Sequence, residues 1–258
     1  MTGRPQDRWG VLLLILSGLA VAGMAGLAAR TELAKRPRDP VTGCPVAGAR
    51  GHTLVLLDLT DALTPDQQTH VQERLTRIES EIPRDELLSV WVLGSTSEGA
   101  LQRVFCRCSP GRQVSWWSDN PRFAGVRDDS LMSRPLAIAV ERLSMGREAH
   151  RSGIAAAIAE VTGLAEFESC AGPRHLIVVS DLRENSTEWS IYRGDARNTT
   201  LKSAFKPAVL HATLRGIPVD MVVIGRAGRP DQEGLLLRDL WKSYLMAAGA
   251  SSVTFTRL

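Results

Sequence analysis

The chain has 258 residues with a formal net charge of +3, and 44% of its residues are hydrophobic. The charge is mild and the arginines are dispersed rather than clustered with aromatic residues, so we expect no nucleic-acid partner. Outside an apolar N-terminus and a linker, about 200 residues remain, which is enough for one well-packed domain.

The first element is an uncharged apolar run from Trp9 to Ala29. As a helix, the run is long enough to cross the roughly 30 Å hydrocarbon core of a bilayer. A cleaved signal peptide is the alternative, but its apolar region needs only about 7 to 15 residues. We therefore predict a single-pass membrane anchor. The predicted segments are an N-terminal tail over 1–8, the transmembrane anchor over 9–29, a linker over 30–51 and an α/β domain over 52–258.

Small residues recur within this run at Gly18, Ala22 and Gly26. A small residue at every fourth position lets two membrane helices approach each other closely. The spacing predicts a homodimer through the transmembrane helix, although small residues are common in such spans for other reasons.

Two features disagree about the side of the membrane on which the domain lies. Basic residues are more numerous after the apolar run than before it, which favours a cytoplasmic domain. Four cysteines are an even number and suit an oxidising compartment, where three pairings are open; four unpaired thiols are the alternative. A short tail before a long apolar run is typical of a signal anchor, so we predict an extracytoplasmic domain at the cell membrane. The cysteines are Cys44, Cys106, Cys108 and Cys170.

The domain begins with a strand and a helix. The segment His52–Leu59 is an apolar run that contains an aspartate near its end, the pattern of a strand buried on both faces of a parallel sheet. Thr64, Pro65 and Gln67 then supply an N-cap, a first-turn proline and a capping-box partner, which predict the start of a helix.

The remaining elements alternate between strands and helices, which implies a mostly parallel sheet with helices on both faces. We therefore predict an α/β fold that is doubly wound around a six-stranded sheet, with one antiparallel edge strand. The predicted elements are a strand at Leu87–Leu93, an antiparallel edge strand at Ala100–Cys106, helices at Arg134–Leu143 and Ser152–Leu164, a strand at His175–Asp181, a helix at Lys202–Arg215, a strand at Pro218–Ile224, a helix at Glu233–Ala248 and a last strand at Val253–Arg257.

Two strands bring an aspartate to the C-terminal edge of this sheet, where ligands of open α/β sheets bind. Asp58 begins the loop after the first strand, and Asp181 begins the loop after a later one. Together with the hydroxyls of Thr60 and Thr64, these carboxylates are hard oxygen ligands that suit Mg²⁺ or Ca²⁺. The alternative is that each aspartate caps a neighbouring helix or a tight loop.

The element order, the edge hairpin and the motifs LLDLTD and VVSDL resemble a von Willebrand factor type A domain over Gly51–Leu258. The resemblance implies a metal-ion-dependent adhesion site at the C-terminal edge of the sheet. In the family this site uses an Asp-x-Ser-x-Ser loop, a threonine in a middle loop and an aspartate after the fourth strand. Asp58 and Thr60 match the first aspartate and the first hydroxyl, and Asp181 matches the later aspartate. Ala62 stands where the second hydroxyl should be and cannot ligate a metal.

The middle loop departs from the family pattern because it carries no threonine at the matching place. Glu148 lies nearest to that position, and His150 and Ser152 are the other candidates. The resemblance therefore implies a metal site that is either degenerate or rebuilt around Glu148.

No complete catalytic set is present in the sequence. Aspartyl phosphatases of the haloacid dehalogenase type also begin from an aspartate after the first strand, but they need a second aspartate two residues on, where this chain has Thr60. The chain also lacks a G-x-S-x-G motif, a Walker A loop and a G-x-G-x-x-G motif after the first strand. We predict that the protein is not an enzyme. The alternatives are a membrane-anchored hydrolase of phosphate esters and a structural domain with an inactive metal site.

Aromatic residues in polar loops are candidates for contact with a partner. The segment from Arg183 to Phe205 is long for a strand-to-helix connection and carries Trp189 and Tyr192. We predict that the domain binds a protein partner in a membrane-associated complex, with Asp61, Thr64, Trp189 and Tyr192 as the contact residues.

Overall fold

The computed structural model describes residues 5–33, 37–94, 101–111, 129–138, 152–186, 190, 213–225 and 231–258. The chain forms two compact units, Met1–Arg38 and Asp39–Leu258. Each unit is described by itself below.

The first unit is dominated by one helix, α1, over Pro5–Leu33. Its segment Trp9–Gly26 is long and apolar enough to cross a membrane, and none of that segment is buried against protein. A signal sequence near an N-terminus can also be long and apolar enough to meet this criterion. The predicted span over 9–29 lies within α1, and its insertion in a bilayer stays a prediction.

The second unit is built on a six-stranded sheet with the order β3-β2-β1-β4-β5-β6. Strand β3 is antiparallel to β2 at one edge, and all the other neighbouring pairs are parallel. This is the predicted fold class, including the antiparallel edge strand. The strands are β1 at His52–Asp58, β2 at Leu87–Leu93, β3 at Leu101–Cys108, β4 at Arg174–Ser180, β5 at Pro218–Val223 and β6 at Ser252–Arg257.

Four helices of this unit have defined bounds, and a short π-helical turn at Asp129–Ser133 continues as helix over 134–138. The predicted helix at Ser152–Leu164 is shorter than expected, because it begins after Gly153 and ends before Gly163. The predicted helices at Arg134–Leu143 and Lys202–Arg215 lie largely outside the described residues. The helices are α2 at Pro65–Glu81, α3 at Ile154–Thr162, α4 at Ala165–Glu168 and α5 at Asp231–Ala247.

The hydrophobic core lies on both faces of the sheet. Along β1, Leu54 and Leu56 point into one cluster with α3, α4 and α5, whereas Val55 and Leu57 point into the other with α2. All four side chains are fully buried. A central strand covered on both faces has no polar side, which explains why the apolar run of β1 is continuous.

A disulfide joins Cys44 to Cys108 and so ties the segment before β1 to the edge strand β3. The backbone N–H of Cys108 also donates to the carbonyl oxygen of Thr42 at 2.8 Å. Cys106 and Cys170 are thiols. The sequence left three pairings open, and the structure selects this one bridge.

Candidate functional site

Parallel pairing of β1 with β4 brings the two predicted aspartates to one edge of the sheet. Leu57 of β1 is in register with Val179 of β4, so Asp58 and Ser180 are the next residues on neighbouring strands. Asp181 follows directly, one residue beyond the end of β4. The structure thus confirms that both aspartates lie at the C-terminal edge, the ordinary ligand edge of an open α/β sheet.

The Asp58 carboxylate accepts four hydrogen bonds from the chain itself. Its Oδ1 accepts from the backbone N–H and the hydroxyl of Thr60, at 3.2 and 2.6 Å. Its Oδ2 accepts from the hydroxyls of Ser152 and Ser180, at 3.2 and 2.8 Å. We call Asp58, Thr60, Ser152 and Ser180 the Asp58 hub. The hub joins three separate segments: the end of β1 with its loop, the residue before α3, and the end of β4.

The hub is buried, and Asp58 is only 6% exposed. Burial raises the pKa of Asp58, and the nearby Asp181 raises it further, while hydrogen bonds from Thr60 and Ser180 oppose the rise. An ionised carboxylate has about four positions at which it can accept a hydrogen bond, and here all of them are used. These donors therefore supply the hydrogen bonds that a buried carboxylate cannot obtain from water.

The end of β2 holds the loop after β1 in place. The backbone N–H of Leu59 donates to the carbonyl oxygen of Leu93 at 2.9 Å. The next residue, Gly94, has a φ of +99°, and a Cβ atom built on it would lie 2.7 Å from the backbone nitrogen of Thr60. Only glycine fits this conformation and this close approach, so the position of Thr60 depends on Gly94.

The loop after β4 is fixed by its own polar groups and by α5. The hydroxyl of Ser180 accepts from the N–H of Leu182 at 2.9 Å, and Asp181 Oδ1 accepts from the N–H of Arg183 at 3.0 Å. Leu182 adopts a left-handed conformation with φ of 66°. Its carbonyl oxygen accepts from the indole Nε1 of Trp241 at 2.9 Å. Asp181 therefore caps a tight turn as well as facing the ligand edge.

The same loop also contacts the start of α3. Ser152 and Asn185 exchange two backbone hydrogen bonds of 3.1 and 2.7 Å. Glu184 Oε2 accepts from the N–H of Ala155 at 3.0 Å. Burial raises the pKa of Glu184 to about 7, and the nearby Asp58 adds to the rise.

Only part of the predicted metal site is placed by the described residues. Asp58, Thr60 and Asp181 do lie together, and Ser152, one of the three middle-loop candidates, donates to Asp58. Glu148 and His150 lie outside the described residues. Asp58 accepts hydrogen bonds from the chain at both oxygens, and its role as a metal ligand stays a prediction. Within the described ranges, no group of three His, Cys, Asp or Glu side chains could hold a metal ion.

Two of the predicted partner-binding residues can be placed. Asp61 is partly exposed and Thr64 is exposed, both on the loop that leads to α2. The Thr64 hydroxyl also accepts from the backbone N–H of Gln67 at 3.3 Å, which confirms the predicted capping box. Trp189 and Tyr192 lie outside the described residues, so their contact role stays a prediction.

Ser180 and Glu184 were not predicted from the sequence. Ser180 is the last residue of a strand that reads as uniformly apolar, and its polarity was the one available signal. Glu184 sits in a polar loop, where an acidic residue is ordinarily solvated; only the fold shows that it is 2% exposed. Both residues act through contacts with segments that are distant along the chain.

Asp58 also bears on the phosphatase alternative. A nucleophilic carboxylate needs a free oxygen that faces the substrate. Asp58 is buried with both oxygens hydrogen-bonded, and the position two residues on is Thr60, a member of the same hub. The described residues thus offer no observation in favour of phosphoryl chemistry.

The chain has weak similarity to several solved structures. It is similar to a von Willebrand factor type A protein from Catenulispora acidiphila, with 13% identity and a TM-score of 0.45 over 81% of this chain and 39% of that one. It is also similar to the conserved hypothetical protein BatB from Bacteroides thetaiotaomicron, with 12% identity and a TM-score of 0.42 over 81% and 91% of the two chains.

A third similar structure is proximal thread matrix protein 1 from the mussel byssus, which has a zinc-occupied MIDAS motif. Here the identity is 10% and the TM-score 0.41, over 81% of this chain and 42% of that one. No family model and no curated protein matches the chain. The fold class therefore rests on the strand order and pairing of the sheet itself.

Proposed function

We propose that the chain is a membrane-anchored protein-binding module whose binding face is the C-terminal edge of the sheet. The observation that carries the proposal is the Asp58 hub. A buried carboxylate is costly, and this one is held by four hydrogen bonds that fix three loops at one edge. A rigid set of loops presents a surface that loses little conformational entropy on binding, which favours recognition of a protein partner.

The proposed contact surface is acidic and partly exposed. Asp61 and Asp181 are both partly exposed beside the hub, and we add Thr64, Trp189 and Tyr192 to the surface from the sequence. Acidic groups on the rim steer a partner that carries basic residues and fix its orientation. The partner in this proposal is therefore a protein with a basic patch, held in a membrane-associated complex.

The N-terminal helix would hold the domain at the membrane. In the proposal, residues 9–29 cross the cell membrane once, and the domain is extracytoplasmic. The Cys44–Cys108 disulfide supports the oxidising side, since disulfides persist there and are rare in the cytosol. A homodimer through Gly18, Ala22 and Gly26 is part of the proposal. Cross-linking in membranes tests this homodimer. We expect the cross-linked dimer to be lost in Gly18→Leu and kept in Gly23→Leu.

A metal-assisted form of the proposal has Mg²⁺ or Ca²⁺ at this edge. Asp58, Thr60, Asp181 and Glu148 would supply its oxygen ligands, with the Thr60 hydroxyl lying beside the Asp58 carboxylate. The cation would add a positive charge at an acidic edge and so widen the choice of partner groups to include a carboxylate.

Affinity purification of the tagged full chain from solubilised membranes tests the proposal. The test variant is Asp61→Asn/Asp181→Asn, which removes two edge charges and keeps the side-chain shapes. The matched control is Asp239→Asn, an exposed position on α5. We expect recovery of a specific co-purifying protein to fall about ten-fold in the test variant and to persist in the control.

Recovery of the same proteins in equal amounts from both variants would contradict binding at this edge and would favour a purely structural domain. Repeating the purification with a chelator separates the two forms of the proposal. Loss of the partner on chelation supports the metal-assisted form, and unchanged recovery contradicts it.

A further inference from the structure

Glu184 is a buried carboxyl group between two segments that meet at the proposed binding edge. It is 2% exposed and lies three residues after Asp181. Its Oε2 accepts from the N–H of Ala155, and the N–H of Ile154 and the side chain of Ser186 also hydrogen-bond to the carboxyl group. Ile154 is the first residue of α3, so the carboxyl group satisfies N–H groups that a helix start leaves without intrahelical partners.

The contacts on either side of Glu184 extend this connection to the hub. The next residue, Asn185, exchanges two backbone hydrogen bonds with Ser152, which precedes α3. The Ser152 hydroxyl in turn donates to Asp58. A continuous bridge thus runs from the loop after β4, through the start of α3, to the buried carboxylate of β1.

The charged and titratable groups that face Glu184 come from three elements. Asp58 at the end of β1 disfavours a second negative charge nearby. Tyr244 on α5 is also within electrostatic reach, since the charge of Glu184 helps to raise the pKa of that phenol. On its own loop, Ser186 donates a hydrogen bond and the adjacent Arg183 is buried.

We propose that Glu184 is a positioning residue whose carboxyl group clamps the loop over 181–186 to the first turn of α3. The clamp keeps Asp181 and Ser152 in their places at the binding edge. Its value for binding rests on the proposed function, whereas the clamp itself is a property of the domain and can be measured without a partner.

The stability of the clamp depends on whether the Glu184 carboxyl group is protonated. Burial raises the pKa of Glu184 to about 7, against 4.5 for the group in water. When the loop opens and the carboxyl group meets water, the ionised form gains hydration, so opening becomes easier as the pH rises. With these two values, the equilibrium constant for opening is about ten-fold larger at pH 8 than at pH 6.

Hydrogen exchange of the full chain in detergent micelles tests the clamp. The readout is amide exchange over 152–157 and 181–186, corrected for the intrinsic effect of pH on exchange. In the wild-type chain, we expect the corrected exchange rate to be about ten-fold higher at pH 8 than at pH 6, because the loop opens more often. In Glu184→Gln, which keeps an oxygen for Ala155 and carries no charge, the two rates are equal.

Two further variants sharpen the test. Glu184→Ala removes the hydrogen bonds, so fast exchange is expected at both pH values. Glu160→Gln changes an exposed glutamate on α3 and should behave as the wild-type chain does. Equal corrected rates at pH 6 and pH 8 in the wild-type chain, or a pH dependence that survives in Glu184→Gln, would overturn the proposal. A failed partner assay would leave this result unaffected.

Discussion

At the scale of single residues, the Asp58 carboxylate accepts hydrogen bonds from four donors at the edge of the sheet. Asp58→Ala removes the acceptor of a backbone N–H and of three hydroxyls in the hub. We therefore expect the free energy of unfolding to fall by about 3 kcal/mol. Asp58→Asn should cost less than half as much, because its oxygen still serves Thr60 and the serine hydroxyls rotate to accept from its amide.

Urea denaturation of the two variants measures this difference, with Asp239→Ala on the exposed side of α5 as the control. Similar losses in Asp58→Ala and Asp58→Asn would mean that the charge, rather than the accepted hydrogen bonds, stabilises the hub.

Two buried groups give the stability of the domain opposite dependences on pH. Burial lowers the pKa of His52 to about 4 from 6.5, so its contribution to stability is lost as the pH falls from 6.5 towards 4. Burial raises the pKa of Glu184 to about 7 from 4.5, so its contribution is full below pH 4.5 and is lost as the pH rises to 7. The two effects oppose each other between pH 4.5 and pH 6.5, where both groups titrate.

Single variants separate the two groups. Relative to the wild-type chain, Glu184→Gln should gain about 3 kcal/mol of stability between pH 4.5 and pH 8. His52→Gln, which keeps a polar atom for Ser89, should gain relative stability as the pH falls below 6.5. Denaturation curves at several pH values measure both differences, and parallel curves for wild type and variant would contradict the corresponding assignment.

Two of the predicted site residues lie at the end of a strand or directly after it. Asp58 and Asp181 could be found because the end of an apolar run marks the sheet edge, and parallel strands share that edge. Glu184 and Ser152 could not be assigned the same way. Their roles depend on a hydrogen-bonded contact between the loop after β4 and the start of α3, which no local pattern encodes.

At the scale of elements, hydrophobic pattern and capping signals predicted the strands and α2 closely. The predicted strand Leu87–Leu93 matches β2, and the capping box at Thr64 starts α2 as expected. The helix predicted from Ser152 begins two residues later, since Ser152 is bonded to Asn185 and Asp58 instead. Tertiary hydrogen bonds thus set the boundary that helix propensity alone placed too early.

The packing of β2 against the loop after β1 gives a prediction about Gly94. Gly94→Ala should lower the free energy of unfolding by about 2 kcal/mol, because its φ is +99° and a Cβ atom would meet the backbone of Thr60. The control is Gly234→Ala on α5, where a Cβ atom meets nothing within 4 Å. The control should be neutral or slightly stabilising. Equal thermal shifts in the two variants would contradict the close approach.

At the scale of the whole molecule, the disulfide and the basic flanks of the apolar run still disagree about the side of the membrane. If the domain is extracytoplasmic, an impermeant thiol reagent should label Cys106 and Cys170 in intact cells. Cys44 and Cys108 should react only after reduction. The variant Cys106→Ser/Cys170→Ser is the control, since it should be labelled only after reduction. Labelling that requires lysis would place the domain in the cytoplasm.

The proposed face for binding a protein partner is the C-terminal edge of the sheet. Site-directed photo-cross-linking in native membranes tests it most directly, with a benzophenone side chain at Ala62 on this edge or at Ser169 near the start of β4 on the opposite edge. Both positions are exposed, and neither belongs to the Asp58 hub. We expect a discrete cross-linked protein from Ala62 that is absent from Ser169. The same products from both positions, or products from Ser169 alone, would contradict it.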